Sequence, residues 1–243
     1  MDQNYYTKTG LGRDIIFLHG WMQNRHTWDG VIAAIGNNFT CWALDLPGFG
    51  ANARPKSTWN PRHYAKWVRD FITHHKIKNP LVVGHSFGGR VAIELANMDI
   101  PGATFILYAT PGLRLPLSRF TTISQAMYKA VKKRWLPLDR LPLVKRVKDR
   151  FRSTDAKNAH EMYDIFAASI DFELTPTMTK MSRPTLIIWG ENDAEVPLKI
   201  GLAMQKLIPN SELKTIPRAT HFAHLEQAQL FAGILRSFIN HHE

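Results

Sequence analysis

Short apolar runs recur along the chain at about 14–19, 39–45, 81–85, 104–109, 184–189 and 211–216. Between several of them, apolar residues return every three to four positions, at about 27–36, 62–76, 87–98 and 197–207, and again from Ala223 to Ile239. Trp28, Val31, Ile32 and Ile35 mark the first of these stretches, and Tyr64, Trp67, Val68 and Phe71 the second. Continuous apolar runs predict buried strands, and three-to-four spacing predicts amphipathic helices. Pro61 and Pro197 stand where a helix can begin, because the first helical turn needs no proline N–H. Strand–helix alternation points to an α/β fold, a mostly parallel central sheet with helices on both faces. In such sheets ligands gather outside the carboxyl ends of the strands.

The alternation breaks between about Gly112 and Met181. That stretch is helix-favouring, holds no convincing strand and separates two core strands, so residues 1–111 and 182–243 are expected to form the core and 112–181 an insertion. Charge concentrates inside it. From Lys129 to Arg152, ten lysines and arginines face only Asp139 and Asp149, a local balance of +8 within a formal net charge of +11. Ile123, Ala126, Met127, Ala130 and Val131 lie on one helical face; Leu143 or Val144, Val147 and Phe151 lie on another, with Pro137 and Pro142 between. The basic side would point outward. Three uses fit it: a solvated face, a docking surface for an acidic carrier protein or an anionic substrate, or contact with an anionic membrane surface. No recognised module accompanies it, so nucleic acid is a poor fit.

With 44% apolar residues the 243-residue chain can bury a substantial core. Its one cysteine, Cys41, excludes an internal disulfide and reads as a small buried hydrophobe. No apolar run approaches the ~18 residues of a membrane span, and the first residues lack a secretory profile, so a soluble cytoplasmic protein is expected. The pairs His74-His75 and His241-His242 lack metal-ligand spacing, and nothing resembles a phosphate loop. Neither metal nor cofactor is expected.

The chemistry-bearing motif is Gly84-His85-Ser86-Phe87-Gly88-Gly89, directly after Leu81-Val82-Val83 and before the helical spacing of Arg90–Ala96. A serine on a sharp strand-to-helix elbow has its hydroxyl pushed clear of the backbone. Taken alone, the motif also describes an ordinary Gly-rich turn. A nucleophilic serine needs a base, and the base an orienting acid. Of eleven histidines, His221 follows the run 211–216 in a loop, whereas His224 falls within the next helical stretch. Asp193 lies in the exit loop of the run 184–189; its bland reading is a turn or capping aspartate, and Glu191 and Glu195 are the fallback acids.

These residues resemble the α/β-hydrolase superfamily over about Ile15 to Phe238. Five landmarks carry the resemblance: His19-Gly20-Trp21, Asp45-Leu46-Pro47-Gly48-Phe49-Gly50, the serine elbow, Gly190-Glu191-Asn192-Asp193, and His221 with Glu226 five residues on. The order Ser86, Asp193, His221 is the family's order. Where many relatives continue with serine after Gly50, this chain has Ala51-Asn52-Ala53. The resemblance implies a helical lid over 112–181, a Ser86–Asp193–His221 triad, and an oxyanion hole formed by the backbone amides of Trp21 and Phe87. Asp45 reads as a loop-bracing acceptor.

The implied activity is cleavage of a small carboxylic ester through an acyl-enzyme. His221 must be neutral to act, so activity is expected to rise through about pH 6–7.5. His19-Gly20-Trp21, the Asp-Leu-Pro-Gly-Phe-Gly run and a basic insertion are similar to the esterases of biotin synthesis that cleave a carrier-protein-linked pimeloyl methyl ester. Ser86 argues against haloalkane dehalogenases and epoxide hydrolases, which use an aspartate nucleophile. Carbon–carbon bond hydrolases, perhydrolases, hydroxynitrile lyases and non-catalytic receptors of the same fold remain alternatives. Trp21, His85, Phe87, Phe166 and Phe222 are candidate pocket aromatics.

Overall fold

A computed structural model describes residues 3–113 and 161–241. The chain divides into a larger unit, residues 1–113 and 164–243, and a smaller one, residues 114–163. The basic stretch Lys129–Arg152 and most of the insertion expected over 112–181 lie outside the described residues. The fold below is that of the larger unit.

Seven strands form one sheet: β1 (Tyr6–Thr9), β2 (Arg13–Leu18), β3 (Phe39–Leu44), β4 (Leu81–His85), β5 (Thr104–Tyr108), β6 (Thr185–Gly190) and β7 (Ser211–Ile216). Their order is β1-β3-β2-β4-β5-β6-β7, and only β1 pairs antiparallel, on β3. The chain steps one way from β2 to β3 and the other way from β4 onward. The order therefore reverses beside β2 and β4, where open α/β sheets place their ligands.

The helices are α1 (Asp29–Ile35), α2 (Pro61–His74), α3 (Phe87–Ala96), α4 (Tyr163–Asp171), α5 (Thr175–Met178), α6 (Leu198–Leu207), α7 (Ala223–Glu226) and α8 (Ala228–His241). Alternate strand residues feed two cores. Ile15, Phe17, Val83, Ile106 and Ile188 pack with Trp28 and Val31 beside α1, and with Phe231 and Leu235 of α8. The intervening Ile16, Leu18, Val82, Leu107 and Ile187 are equally buried. Burial of both parities is why these strands read as unbroken apolar runs.

Local chemistry sets the element ends. Asn60 Oδ1 accepts from the amides of Arg62 and His63, the His63 ring accepts from the Asn60 amide, and Pro61 opens α2. Asp45 braces the loop after β3, accepting from the amides of Arg25 and Ala51 and from the Arg25 guanidinium. Arg90 of α3 donates to the carbonyls of Pro111, Ser169 and Phe172, and Glu94 accepts from Thr177 and Arg62. Those bonds are why residues 164–181, grouped with the insertion by sequence, fall in the larger unit.

Two differences from the sequence expectation have simple causes. Strand β1 is a short polar edge with no apolar run to reveal it; its Tyr6 packs on Trp42 and Phe71. The helix expected over 223–239 is two, broken at Gln227 (φ −138°, ψ 50°), whose side chain donates to the Pro217 carbonyl.

Candidate active site

Ser86 stands between β4 and α3 with φ 49° and ψ −108°. A non-glycine residue there stores about 1–3 kcal/mol of backbone strain, which the surroundings must hold. They do so by close approach. A Cβ on Gly84 would lie 2.5 Å from the Gly88 carbonyl oxygen, and one on Gly88 would strike the carbonyls of Leu18 and His19. The Ser86 amide donates to the Tyr108 carbonyl (2.9 Å), and the Gly88 amide to the His19 carbonyl (3.1 Å). The elbow is thus stapled to β5 on one side and to the end of β2 on the other.

Asp193 and His221 meet beyond the ends of β6 and β7. His221 Nδ1 lies 2.8 Å from Asp193 Oδ2, and both side chains are almost fully buried. Asp193 Oδ1 accepts from the amides of Glu195 (2.9 Å) and Val196 (2.8 Å), so the carboxylate is fixed by its own loop. Facing a carboxylate, Nδ1 carries the ring proton, which leaves the Nε2 lone pair open. Nε2 is 3.8 Å from Glu195 Oε2, and among the described residues it has no hydrogen-bond partner. The Ser86 hydroxyl likewise makes no hydrogen bond among the described residues. The His221 ring packs on His85, the neighbour of Ser86, at 4.8 Å between centroids. Glu191 turns away, accepting from Thr215, while Glu226 braces the His221 loop by accepting from the Thr220 amide and hydroxyl.

The amides of Trp21 and Phe87 have no partner among the described residues, although their neighbours do. The Gly20 amide donates to Gln23 Oε1 (2.9 Å). The Gly20 carbonyl receives the Gln23 amide (3.2 Å) and faces His19 Nδ1 (2.7 Å). In a trans peptide the N–H points opposite the C=O. Pinning the Gly20 carbonyl therefore fixes the direction of the Trp21 N–H. Phe87 opens α3, so its amide also carries the positive end of that helix.

His19, buried completely, accepts from the Leu46 amide on Nε2 (3.0 Å), and burial pulls its pKa down to about 4. His224 shares a 2.8 Å bond with Thr27, packs at a tilt on Trp28, and is pushed to about 3 by burial. It belongs to the core, as its helical position suggests. His85 is likewise held well below the ordinary imidazole range, first by burial and then by its neighbouring histidines. The rings of Trp21, Phe49, Phe87 and Phe166 make a wall, with Trp21 at 5.0 Å, 5.2 Å and 4.9 Å from the other three. Three contributors carried no sequence signal of their own: Gln23, Tyr108 and Thr27, each bonded to a histidine or to a histidine's backbone.

The model of the alpha/beta hydrolase family matches residues 15–234. The chain belongs to this family. It is 24% identical to a pimeloyl-[acyl-carrier protein] methyl ester esterase of Vibrio cholerae, over 96% of this chain and 97% of that one. A soluble epoxide hydrolase of a Corynebacterium is 37% identical, but over 45% of this chain and 39% of its own. Among solved structures, MenH from S. aureus superposes with a TM-score of 0.74 at 25% identity, covering 99% of both chains. An esterase from Exiguobacterium antarcticum gives 0.73 at 19% identity, covering 97% of this chain and 95% of its own. As an α/β hydrolase, the protein has the fold the sequence implied. Among the described residues no helix is long and apolar enough to cross a membrane, and no group of three His, Cys, Asp or Glu could hold a metal ion.

Proposed function

We propose that this α/β hydrolase cleaves carboxylic esters through an acyl-enzyme, with Ser86 as nucleophile, His221 as base and Asp193 as its orienting acid. The observation that carries the reading is the buried 2.8 Å Asp193–His221 pair, with Nε2 left open beside the strained elbow that presents Ser86. His221 Nε2 takes the Ser86 proton as Oγ attacks the ester carbonyl. The amides of Trp21 and Phe87 receive the oxyanion, a contribution of about 3–4 kcal/mol per donor in comparable sites. Collapse breaks the ester C–O bond, and His221 returns its proton to the leaving alcohol. Water then adds to the acyl-enzyme, with His221 again as base, releasing the acid and restoring the Ser86 hydroxyl. The Ser86–His221 hydrogen bond forms in the substrate complex, as such bonds commonly tighten there. The aromatic wall around Trp21 gives the acyl group an apolar surface. A serine at 86 sets this chain apart from the aspartate-dependent chemistry expected of epoxide hydrolases.

A second reading narrows the substrate. Relatives spanning 96% of this chain are named pimeloyl-[acyl-carrier protein] methyl ester esterases, and the stretch Lys129–Arg152 is strongly basic. We read the basic stretch of the insertion as a docking face for an acidic carrier. Hydrolysis of p-nitrophenyl esters from acetyl to long acyl tests the first reading, and Ser86→Ala should lower turnover by several orders of magnitude. A variant keeping most activity would remove Ser86 from the role. For the second reading, a carrier-linked methyl ester should turn over faster at low salt. No turnover, or rates indifferent to ionic strength, would overturn it.

A further inference from the structure

His85 sits between the two halves of the site and touches both. Its ring is buried completely, with Nδ1 3.0 Å from Gln23 Oε1 and Nε2 3.0 Å from the His221 carbonyl. Gln23 Oε1 also receives the Gly20 amide. A Cβ on Gly20 would lie 2.8 Å from both Gln23 Oε1 and His85 Nδ1, so the ring packs directly under the Gly20–Trp21 peptide. On the other side, the His221 carbonyl receives the Tyr108 hydroxyl (2.6 Å), which itself accepts from the Ala223 amide (2.5 Å). The His85 ring stacks on Tyr108 at 4.7 Å and packs on His224 at 4.6 Å.

We infer that His85 is a positioning residue that couples the loop carrying the Trp21 amide to the backbone of His221, holding oxyanion donor and base in one register. The inference rests on the ester-hydrolase reading of Ser86, Asp193 and His221.

Both ring nitrogens face oxygen, while a neutral imidazole has one N–H. With the proton on Nδ1, His85 donates to Gln23 and only Tyr108 holds the His221 carbonyl. With the proton on Nε2, His85 holds that carbonyl. Nδ1 then needs the Gln23 amide turned over, which takes the oxygen away from the Gly20 N–H. The position of one proton thus decides whether the oxyanion loop or the base is held more tightly. This is what distinguishes the ring from a space-filling aromatic, and what makes its two nitrogens separately testable.

Asparagine presents its amide near the position of Nδ1, and glutamine near that of Nε2. Three variants follow: His85→Ala, His85→Asn and His85→Gln. Each is measured for kcat and KM on a p-nitrophenyl ester, for thermal midpoint, and by proton NMR for the downfield resonance of the His221 Nδ1–H bound to Asp193. His85→Ala should lose about 10–100-fold in kcat with KM changed less than about threefold, as expected for misplacement of reacting groups. It should also shift or broaden the downfield resonance. His85→Gln should restore that resonance, and either amide variant should recover about tenfold of the lost kcat. An unmoved resonance in His85→Ala, or a kcat loss that tracks only the folded fraction with no rescue by Asn or Gln, would overturn the proposal. If the wild-type protein hydrolyses no ester, the ester-hydrolase reading fails, and the resonance still decides whether His85 positions His221.

Discussion

At position 88 a single methyl group separates a formed elbow from a broken one. The Cβ of Gly88→Ala meets the backbone carbonyls of Leu18 and His19, which cannot yield without moving β2. We expect a loss of about 2–4 kcal/mol in urea unfolding, together with loss of the proposed ester hydrolysis. Gly20→Ala places its Cβ 2.8 Å from Gln23 Oε1 and from Nδ1 of the buried His85 ring, so it should lower the urea midpoint, by less than Gly88→Ala because side chains rather than backbone must yield, while activity falls about 10–100-fold. Asp193→Asn keeps the shape of the pair but lets the amide donate, favouring the wrong His221 tautomer. Steady-state kinetics should show kcat reduced about 10³–10⁴-fold. Ser86, Asp193 and His221 stand out as candidates in the sequence because the proposed chemistry admits few residue types and each follows a strand. Gln23 and Tyr108 do not, because Tyr108 binds backbone, which every residue carries, and Gln23 binds the Gly20 amide and a His85 ring that comes near it only in the folded chain.

Among the elements, strands with both faces buried announce themselves, and β2 to β6 stand within a residue or so of their apolar runs. Edge strand β1 has no such run, and the break between α7 and α8 is set by one side chain reaching the Pro217 carbonyl. Neither is written in periodicity. The start of α2 is, through Asn60-Pro61. Asn60→Ala removes the acceptor for two helix amides, so calorimetry should show a cost of about 1 kcal/mol and a midpoint lower by about 2–4 °C. Activity should be unchanged, since among the described residues α2 reaches the site through buried packing such as Tyr64 on Phe87, and Asn60 takes no part in that packing.

For the whole molecule, the reversal of strand order beside β2 and β4 explains why groups far apart in sequence converge: the ends of those strands carry Trp21 and Ser86. The same burial that shapes this rim makes stability pH-dependent. His19, His85 and His224 are all held neutral in the fold, whereas in the unfolded chain they protonate near pH 6.5. Their folded pKa values are depressed, so full stability is present above about pH 6.5 and is lost as pH falls toward about 4. With three protons bound on unfolding, the slope approaches about 4 kcal/mol per pH unit. Urea midpoints should therefore be level from pH 8 to 7 and drop steeply between pH 6 and 4.5. A level midpoint down to pH 4.5 would contradict burial of these rings. What the strand-and-helix pattern could not convey was this histidine cluster, because its members come from the end of β2, from β4 and from α7 and meet only in the folded chain.

The most direct test of the central claim is to treat the protein with a fluorophosphonate and map the adduct by peptide mass spectrometry. The account predicts one stoichiometric adduct on Ser86, absent in Ser86→Ala and slowed at least about 100-fold in His221→Ala. An unlabelled wild-type protein, or an adduct carried by any other residue, would contradict it.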